Sequence, residues 1–299
     1  MSILVVGSVA YDSVETPSGK ATDVLGGSAL YFSAAARYFA PVNVVGVVGK
    51  DFEFSKIEFL KQDNVDLEGV VMDEGETFRW GGKYHSNLDD RDTLYTYLNV
   101  FESFKPVIPK NYRSSEFVFL ANIDPELQLD VLESIQAPKL VVLDTMNFWI
   151  SGKRKQLDAV LKKVDMAILN EEEIYQLTGN SNLFDAATIL RKMGPRILVI
   201  KRGKYGSVLA SENGYFFGPA YPVTKVVDPT GAGDSFAGGL LGYLAGCSDL
   251  NETDLRKAVI YGTVVASFNV EDFSFNRLKQ INRDRIETRL EELRRMTAF

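Results

Sequence analysis

Short apolar runs recur along the chain with helix-patterned stretches between them, and this alternation constrains the fold more than any other feature. Residues 3–9, 43–48, 117–121, 140–144, 166–169 and 196–200 are too continuously apolar for strands with one wet face. Such runs suit strands buried on both sides. Between them, residues 28–40, 52–61, 125–135, 153–163, 171–177 and 184–193 pattern as helices. Strands alternating with helices predict an α/β fold whose mostly parallel sheet is covered on both faces. The last third is helical, at 235–245, 253–268 and 283–296.

Two polar segments interrupt the pattern. Residues 12–24 read as a hairpin around Ser18-Gly19. Residues 70–105 carry Thr77, Phe78, Trp80, Tyr84, Tyr95 and Tyr97, which favour strands, between glycine and Asn/Asp turns. Together they predict a small antiparallel sheet inserted into the α/β body. Further hairpin pieces are expected near 206–218. No internal repeat or low-complexity linker divides the 299 residues, so a single domain, 1–299, is expected.

A net charge of −7 argues against a nucleic-acid or anionic-membrane partner and leaves small molecules. No apolar run has the length of a membrane span. The single cysteine, Cys247, allows no intramolecular disulfide, which fits a reducing compartment, the cytoplasm. The opening MSILVVGSVAYD reads as a strand rather than a secretory leader. The one histidine, His85, lies in a polar stretch. That removes most zinc sites and any Ser-His-Asp triad not built on it.

Residues 226–239, VVDPTGAGDSFAGG, place glycines and a carboxylate at the entrance to a long apolar helix. The first turn of a helix presents unpaired amides and partial positive charge, and glycines let a ligand come close. Gly231-Ala232-Gly233 therefore suits a phosphate. Asp234 would repel that anion, but it makes sense facing a substrate hydroxyl. It would accept the hydroxyl proton while the amides stabilise the transferring phosphoryl group. A capping aspartate after a glycine turn accounts for the bare pattern equally well. The stretch is not a Walker A loop, which needs Gly-Lys followed by Ser or Thr. Phe236 stands where the third glycine of a dinucleotide fingerprint would fall.

DPTGAGDSFAGGL, residues 228–240, resembles the C-terminal signature of the PfkB, or ribokinase-like, family of sugar and nucleoside kinases. GSVAYD (7–12), LGGSALYFSAAA (25–36), VGVVGKD (45–51), NEEE (170–173) and IKRGKYG (200–206) resemble further family motifs, in order. The resemblance implies a ribokinase-like three-layer αβα fold, with a central mostly parallel sheet and a small β-sheet lid formed by about 12–24 and 70–105. It implies phosphorylation of a primary hydroxyl by ATP with magnesium. Asp234 would be the base, and Gly231, Ala232 and Gly233 the anion hole. Asp12, Gly26 and Gly27 would hold substrate hydroxyls. Asn170 and Glu173 would lie near the phosphates, with Glu173 reaching hydrated magnesium through water. Lys201 and Gly203 would lie along the ATP site, and part of 264–273 would close over the adenine. Asp228 and Thr230 are similar to a monovalent-cation (K+) site of some members. Plainer accounts stand beside these: a capping box for Asn170 and Glu173, turns for Asp12 and Asp228-Pro229, helix packing for Gly26-Gly27, and a solvated charge for Lys201.

One departure bears on the substrate. The family motif runs to an asparagine that contacts the substrate, and here that position is Tyr31. An aromatic face replaces an amide. With Phe78, Trp80, Tyr84, Tyr95 and Tyr97 of the lid, it favours a nucleoside such as adenosine over a free sugar. Cross-strand pairing is the commoner use of such aromatics. A free-sugar kinase of ribokinase or fructokinase type is the alternative. A non-catalytic nucleotide-binding regulator is opposed by the intact Asp234 and Asn170-x-x-Glu173. Asn122, Asp144 and Asn147 follow predicted strands, where open α/β sheets gather ligands; turn and cap roles compete at 122–125. Exposed lid edges would allow a homodimer through the lid.

Overall fold

The structure, a computed structural model, describes residues 1–298. The chain begins β1 (Ile3–Val6), β2 (Ala10–Thr16), β3 (Gly19–Gly26), α1 (Ser28–Ala36), β4 (Val42–Val48), α2 (Glu58–Gln62) and β5 (Val65–Met72). It continues β6 (Phe78–Tyr84), β7 (Arg91–Tyr97), β8 (Phe117–Leu120), α3 (Pro125–Ser134), β9 (Leu140–Asp144), α4 (Asn147–Gly152) and α5 (Arg154–Leu161). Then come β10 (Met166–Asn170), α6 (Glu171–Thr178), α7 (Leu183–Met193), β11 (Ile197–Lys201), β12 (Ser207–Ser211) and β13 (Gly214–Gly218). Four helices finish the described chain: α8 (Ala232–Ala245), α9 (Glu252–Asn269), α10 (Asn276–Lys279) and α11 (Arg283–Thr297).

Nine strands form one sheet in the order β13-β12-β11-β10-β9-β8-β1-β4-β5. It is parallel from β11 to β5, and β12 and β13 add an antiparallel edge. Side chains alternate across each strand. Ile3 and Val5 of β1 therefore join the core under α1, α8 and α9, while Leu4 and Val6 join the core under α3 and α5 to α7. Burial on both faces is what made these strands read as unbroken apolar runs.

A second sheet has the order β3-β2-β6-β7. β2 and β3 leave the carboxyl end of β1, and β6 and β7 leave that of β5. The small sheet therefore stands at the edge where β8 to β11 also end, and where such sheets bind ligands.

Five expectations need correction. The small sheet is not wholly antiparallel: β2 and β6 pair in parallel, since both leave the same edge of the main sheet. Residues 70–72 belong to β5 of the main sheet, not to the small one. As an edge strand with one neighbour, β5 alternates apolar and polar residues and lacks the continuous run. Residues 99–105 fold back onto the body, with Val100 and Phe104 in its core, so the small sheet comprises 10–26 and 78–97. The helix expected at 52–61 is a 3-10 turn, Phe54–Ile57, followed by the short α2. The helix expected at 28–40 stops at Ala36.

Candidate active site

The glycine-rich motif opens α8. Gly231 is its N-cap in the left-handed region, φ 73°. A Cβ at Gly231 would run into the ring of Tyr31, so both backbone and space require glycine. Ala232 N donates to Pro229 O and Ser235 N to Gly231 O. Among the described residues, the Gly233 and Asp234 amides donate to no carbonyl outside the helix, and they lie in its first turn, where amides lack intrahelical partners. Asp234 stands in that first turn, partly buried. Burial and then the charge of Asp144 push its carboxyl up to about 7, against the opposing pull of Lys201 and Arg91. A base with a pKa near the working pH is suited to proton transfer.

On one side of Asp234 is an ionic cluster at the ends of three neighbouring strands. Lys201, the last residue of β11, donates from Nζ to Asp144 Oδ1 at 3.3 Å. Its Nζ lies 3.0 Å from where a Cβ on Gly233 would stand, beside the first turn of α8. Burial opposes the lysine's charge, but Asp144, Glu173 and Asp234 raise its pKa. Lys201 is thus an anchored cation rather than a solvated one. Asn170 caps α6 in a full capping box: Glu173 N donates to Asn170 Oδ1, and Asn170 N donates to Glu173 Oε2, each at 2.8 Å. The cap reading is correct, and it also holds the Glu173 carboxylate at the strand ends. Burial pushes Glu173 up to about 7. Asp144 is likewise raised by burial, although Lys201 pulls it down. Gly203 lies just beyond Lys201, φ 54°, with open space where a Cβ would be.

On the other side, Asp12 of β2 is 5% exposed. Burial, then Asp228 and Asp234, push its carboxyl up to about 8. A Cβ on Gly26 would collide with that carboxylate, and one on Gly27, φ 94°, with the Ser8 carbonyl. The glycine pair therefore seats Asp12 and turns the chain into α1. Ser8 and Ser28 close the same corner by exchanging backbone and side-chain bonds.

Tyr31 departs from its expected use. It is 2% exposed, packed against Gly231 and edge-on to Phe275 at 5.5 Å. Its ring fills the space that a side chain at Gly231 would need, so it has no face to stack on a ligand. Asp228 is 1% exposed; its Oδ1 accepts from Thr230 N at 2.9 Å and its Oδ2 from Ser274 N at 3.5 Å. Those bonds account for it as the hinge of a turn. Asn122 accepts from Trp149 Nε1 at 2.9 Å, and Asn147 donates to Glu172 at 2.9 Å.

The small sheet is tied to the motif. Thr16 and Ser18 hydroxyls donate to the carbonyls of Val227 and Val226, at 2.8 and 3.2 Å. Thr230 Oγ1 donates to Tyr84 Oη at 3.2 Å. Among the sheet's aromatics, Phe78 stacks on Phe101 and Tyr95 on Tyr97, which is packing. Trp80 differs: it pairs in register with Asp12 and lies over Gly82.

Arg91, which the sequence reading passed over, starts β7 beside these groups. It donates from Nη1 to Tyr84 Oη at 3.4 Å, and its guanidinium lies 5.3 Å from the Trp80 ring centroid. Its charge lowers the carboxyls of both Asp12 and Asp234. The only sequence signal was a lone arginine in an acidic turn. His85 sits on the β6–β7 turn beside Asp92, and Cys247 at the end of α8 donates to the Tyr243 carbonyl.

A carboxyl raised toward neutrality in the first turn of a helix, with a half-buried lysine beside that turn, suits the transfer of a phosphoryl group to an alcohol. The profile of the pfkB family carbohydrate kinases matches residues 2–279, and the chain belongs to that family. It is a kinase of the sugar and nucleoside type. It is 30% identical over 253 residues to the cytidine kinase of Thermococcus kodakarensis, covering 82% of this chain and 90% of that one. It is 29% identical over 287 residues to a nucleoside kinase of Methanothermobacter thermautotrophicus, covering 90% and 89%. The crystal structure of Methanocaldococcus jannaschii nucleoside kinase superposes with a TM-score of 0.77 at 21% identity, over 97% of this chain and 98% of that one, and so shares the fold. Among the described residues, no helix is long and apolar enough to cross a membrane.

Proposed function

We propose that this chain transfers the γ-phosphoryl group of Mg·ATP to the primary hydroxyl of a nucleoside. The observation that carries the reading is Asp234 in the first turn of α8, next to Gly233, where the Lys201 ammonium lies 3.0 Å from the place a Cβ would take. In the transfer, the acceptor oxygen bonds to the γ-phosphorus and the bond to the bridging oxygen breaks. ADP leaves, and the hydroxyl proton passes to Asp234. The amides of the α8 turn and Lys201 meet the charge on the transferring group. Asp12, seated by Gly26 and Gly27, holds acceptor hydroxyls, and Asn122 lines the strand ends beside it. Asn170 and Gly203 border the phosphates.

Magnesium takes few protein ligands and keeps several waters when it arrives with phosphates. Among the described residues, no group of three or more His, Cys, Asp or Glu side chains converges as a cage. Glu173, with Oε2 committed to its cap, fits the lighter role of contact through water. The ion would neutralise charge on the phosphate oxygens.

The names of the two curated relatives support a nucleoside, and cytidine is the first base to test. Trp80, opposite Asp12, is the aromatic best placed for the base. Measuring ADP release from Mg·ATP with cytidine, adenosine, other nucleosides, ribose and fructose tests this. Turnover is expected with a nucleoside, and kcat/KM is expected to fall below about pH 7 as Asp234 takes up its proton. Turnover of free sugars alone would contradict the acceptor assignment.

A further inference from the structure

Thr230, the residue before the N-cap of α8, is held at every polar atom it has. Its N donates to Asp228 Oδ1 at 2.9 Å, and its carbonyl accepts from Asn269 Nδ2 at 2.8 Å. Those two bonds stay within the body, one to the motif itself and one to the last residue of α9. The third crosses to the small sheet: Thr230 Oγ1 donates to Oη of Tyr84, the last residue of β6, at 3.2 Å. Both side chains are shielded, with Thr230 8% and Tyr84 6% exposed. Arg91, the first residue of β7, donates to the same Tyr84 oxygen at 3.4 Å. Both strands of the β6–β7 hairpin therefore bear on one hydroxyl, and that hydroxyl bears on the residue next to Gly231.

Gly231 has no side chain to fix its left-handed backbone, so the turn takes its position from its neighbours. Thr16 and Ser18 grip the chain earlier, at Val227 and Val226, on the far side of Pro229. A bond between two shielded hydroxyls is directional, and parting them leaves each unpaired, so the two move together. We infer that Tyr84 is a positioning residue: through Thr230 it sets the Gly231 turn, and with it the Gly233 amide, according to where the β6–β7 hairpin sits. Seating of the small sheet and transfer at the turn are thereby linked through one bond. The inference rests on the reading of that turn as the seat of the phosphoryl group.

Tyr84→Phe keeps the ring and deletes the shared hydroxyl. In hydrogen exchange on the free protein, the amides of 230–235 should exchange about tenfold faster in the variant, with the interior of α9 unchanged. With Mg·ATP and the best acceptor of the panel above, kcat should fall about tenfold while the KM for ATP changes by less than about twofold. Thr230→Val deletes the bond from the other side. The double variant should lose no more kcat than either single one, because one bond carries both effects. It also leaves no unpaired hydroxyl behind, so its melting temperature should recover toward the parent's while its kcat stays low. A bond that served stability alone would leave kcat at the parent's level throughout. A Tyr84→Phe kcat within about twofold of the parent, or losses that multiply in the double variant, overturns the inference and leaves the kinase reading standing. Unchanged exchange over 230–235 overturns it as well, whether or not an acceptor is found. A parent that phosphorylates nothing removes the kinase reading instead, and the exchange result alone then decides whether Tyr84 sets the turn.

Discussion

Asp234→Asn is expected to lower kcat by about a thousandfold while leaving the KM for ATP nearly unchanged. Asparagine preserves the shape of the first turn of α8 and the amides around it, but it cannot accept the hydroxyl proton. The same substitution should stabilise the free protein at alkaline pH. The Asp234 carboxyl is raised to about 7 in the fold, chiefly by burial. In the unfolded chain it titrates near 4. Its contribution to stability is therefore fully present below about pH 4 and is lost as the pH rises through about 7. At pH 8 the parent bears the whole cost of a buried charge, and the variant does not. A gain on the order of 4 kcal/mol at pH 8, about three units at about 1.4 kcal/mol each, shrinking to nothing near pH 4, is expected in thermal melts. Loss of activity together with loss of stability at pH 8 would mean that Asp234 is a structural cap.

Lys201→Met is the second large effect. The ammonium stands 3.3 Å from Asp144 and is coupled to Glu173 and Asp234, so its removal leaves carboxylates without their main counter-charge. They should answer by holding protons to higher pH, Asp234 among them. The acid limb of kcat/KM should move upward, and kcat/KM for ATP should fall by about a hundredfold as the phosphoryl group loses its cation. Breaking a buried pair ordinarily destabilises by about 3 kcal/mol or more, but protonation of the freed carboxylates limits the loss here. Melting curves and pH–rate profiles of the same variant check both parts. An unshifted acid limb would detach Lys201 from the base.

The main sheet was legible because double burial writes itself as continuous apolar runs, as in β1 and β10. β5 escaped because an edge strand needs only one covered face, and VDLEGVVM alternates. The motif turn was legible because a positive φ beside a close neighbour admits only glycine at Gly231. What filled the space was not. Tyr31 meets Gly231 only through the tertiary packing of α1 on α8, so its burial could not be read from its own neighbourhood. Arg91 was hidden for a related reason: an arginine at the start of an exposed strand looks like a solvated charge until β6 and β7 pair and set it beside Tyr84. Asn170 and Glu173 form the capping box of the plainer account, and the cap that ends β10 fixes where the glutamate sits.

The central claim is tested most directly by following cytidine and Mg·ATP with phosphorus NMR and identifying where the phosphoryl group goes. The account predicts a nucleoside 5′-monophosphate formed in equal amount with ADP. ADP accompanied only by inorganic phosphate, or a phosphate on a secondary hydroxyl, would contradict it.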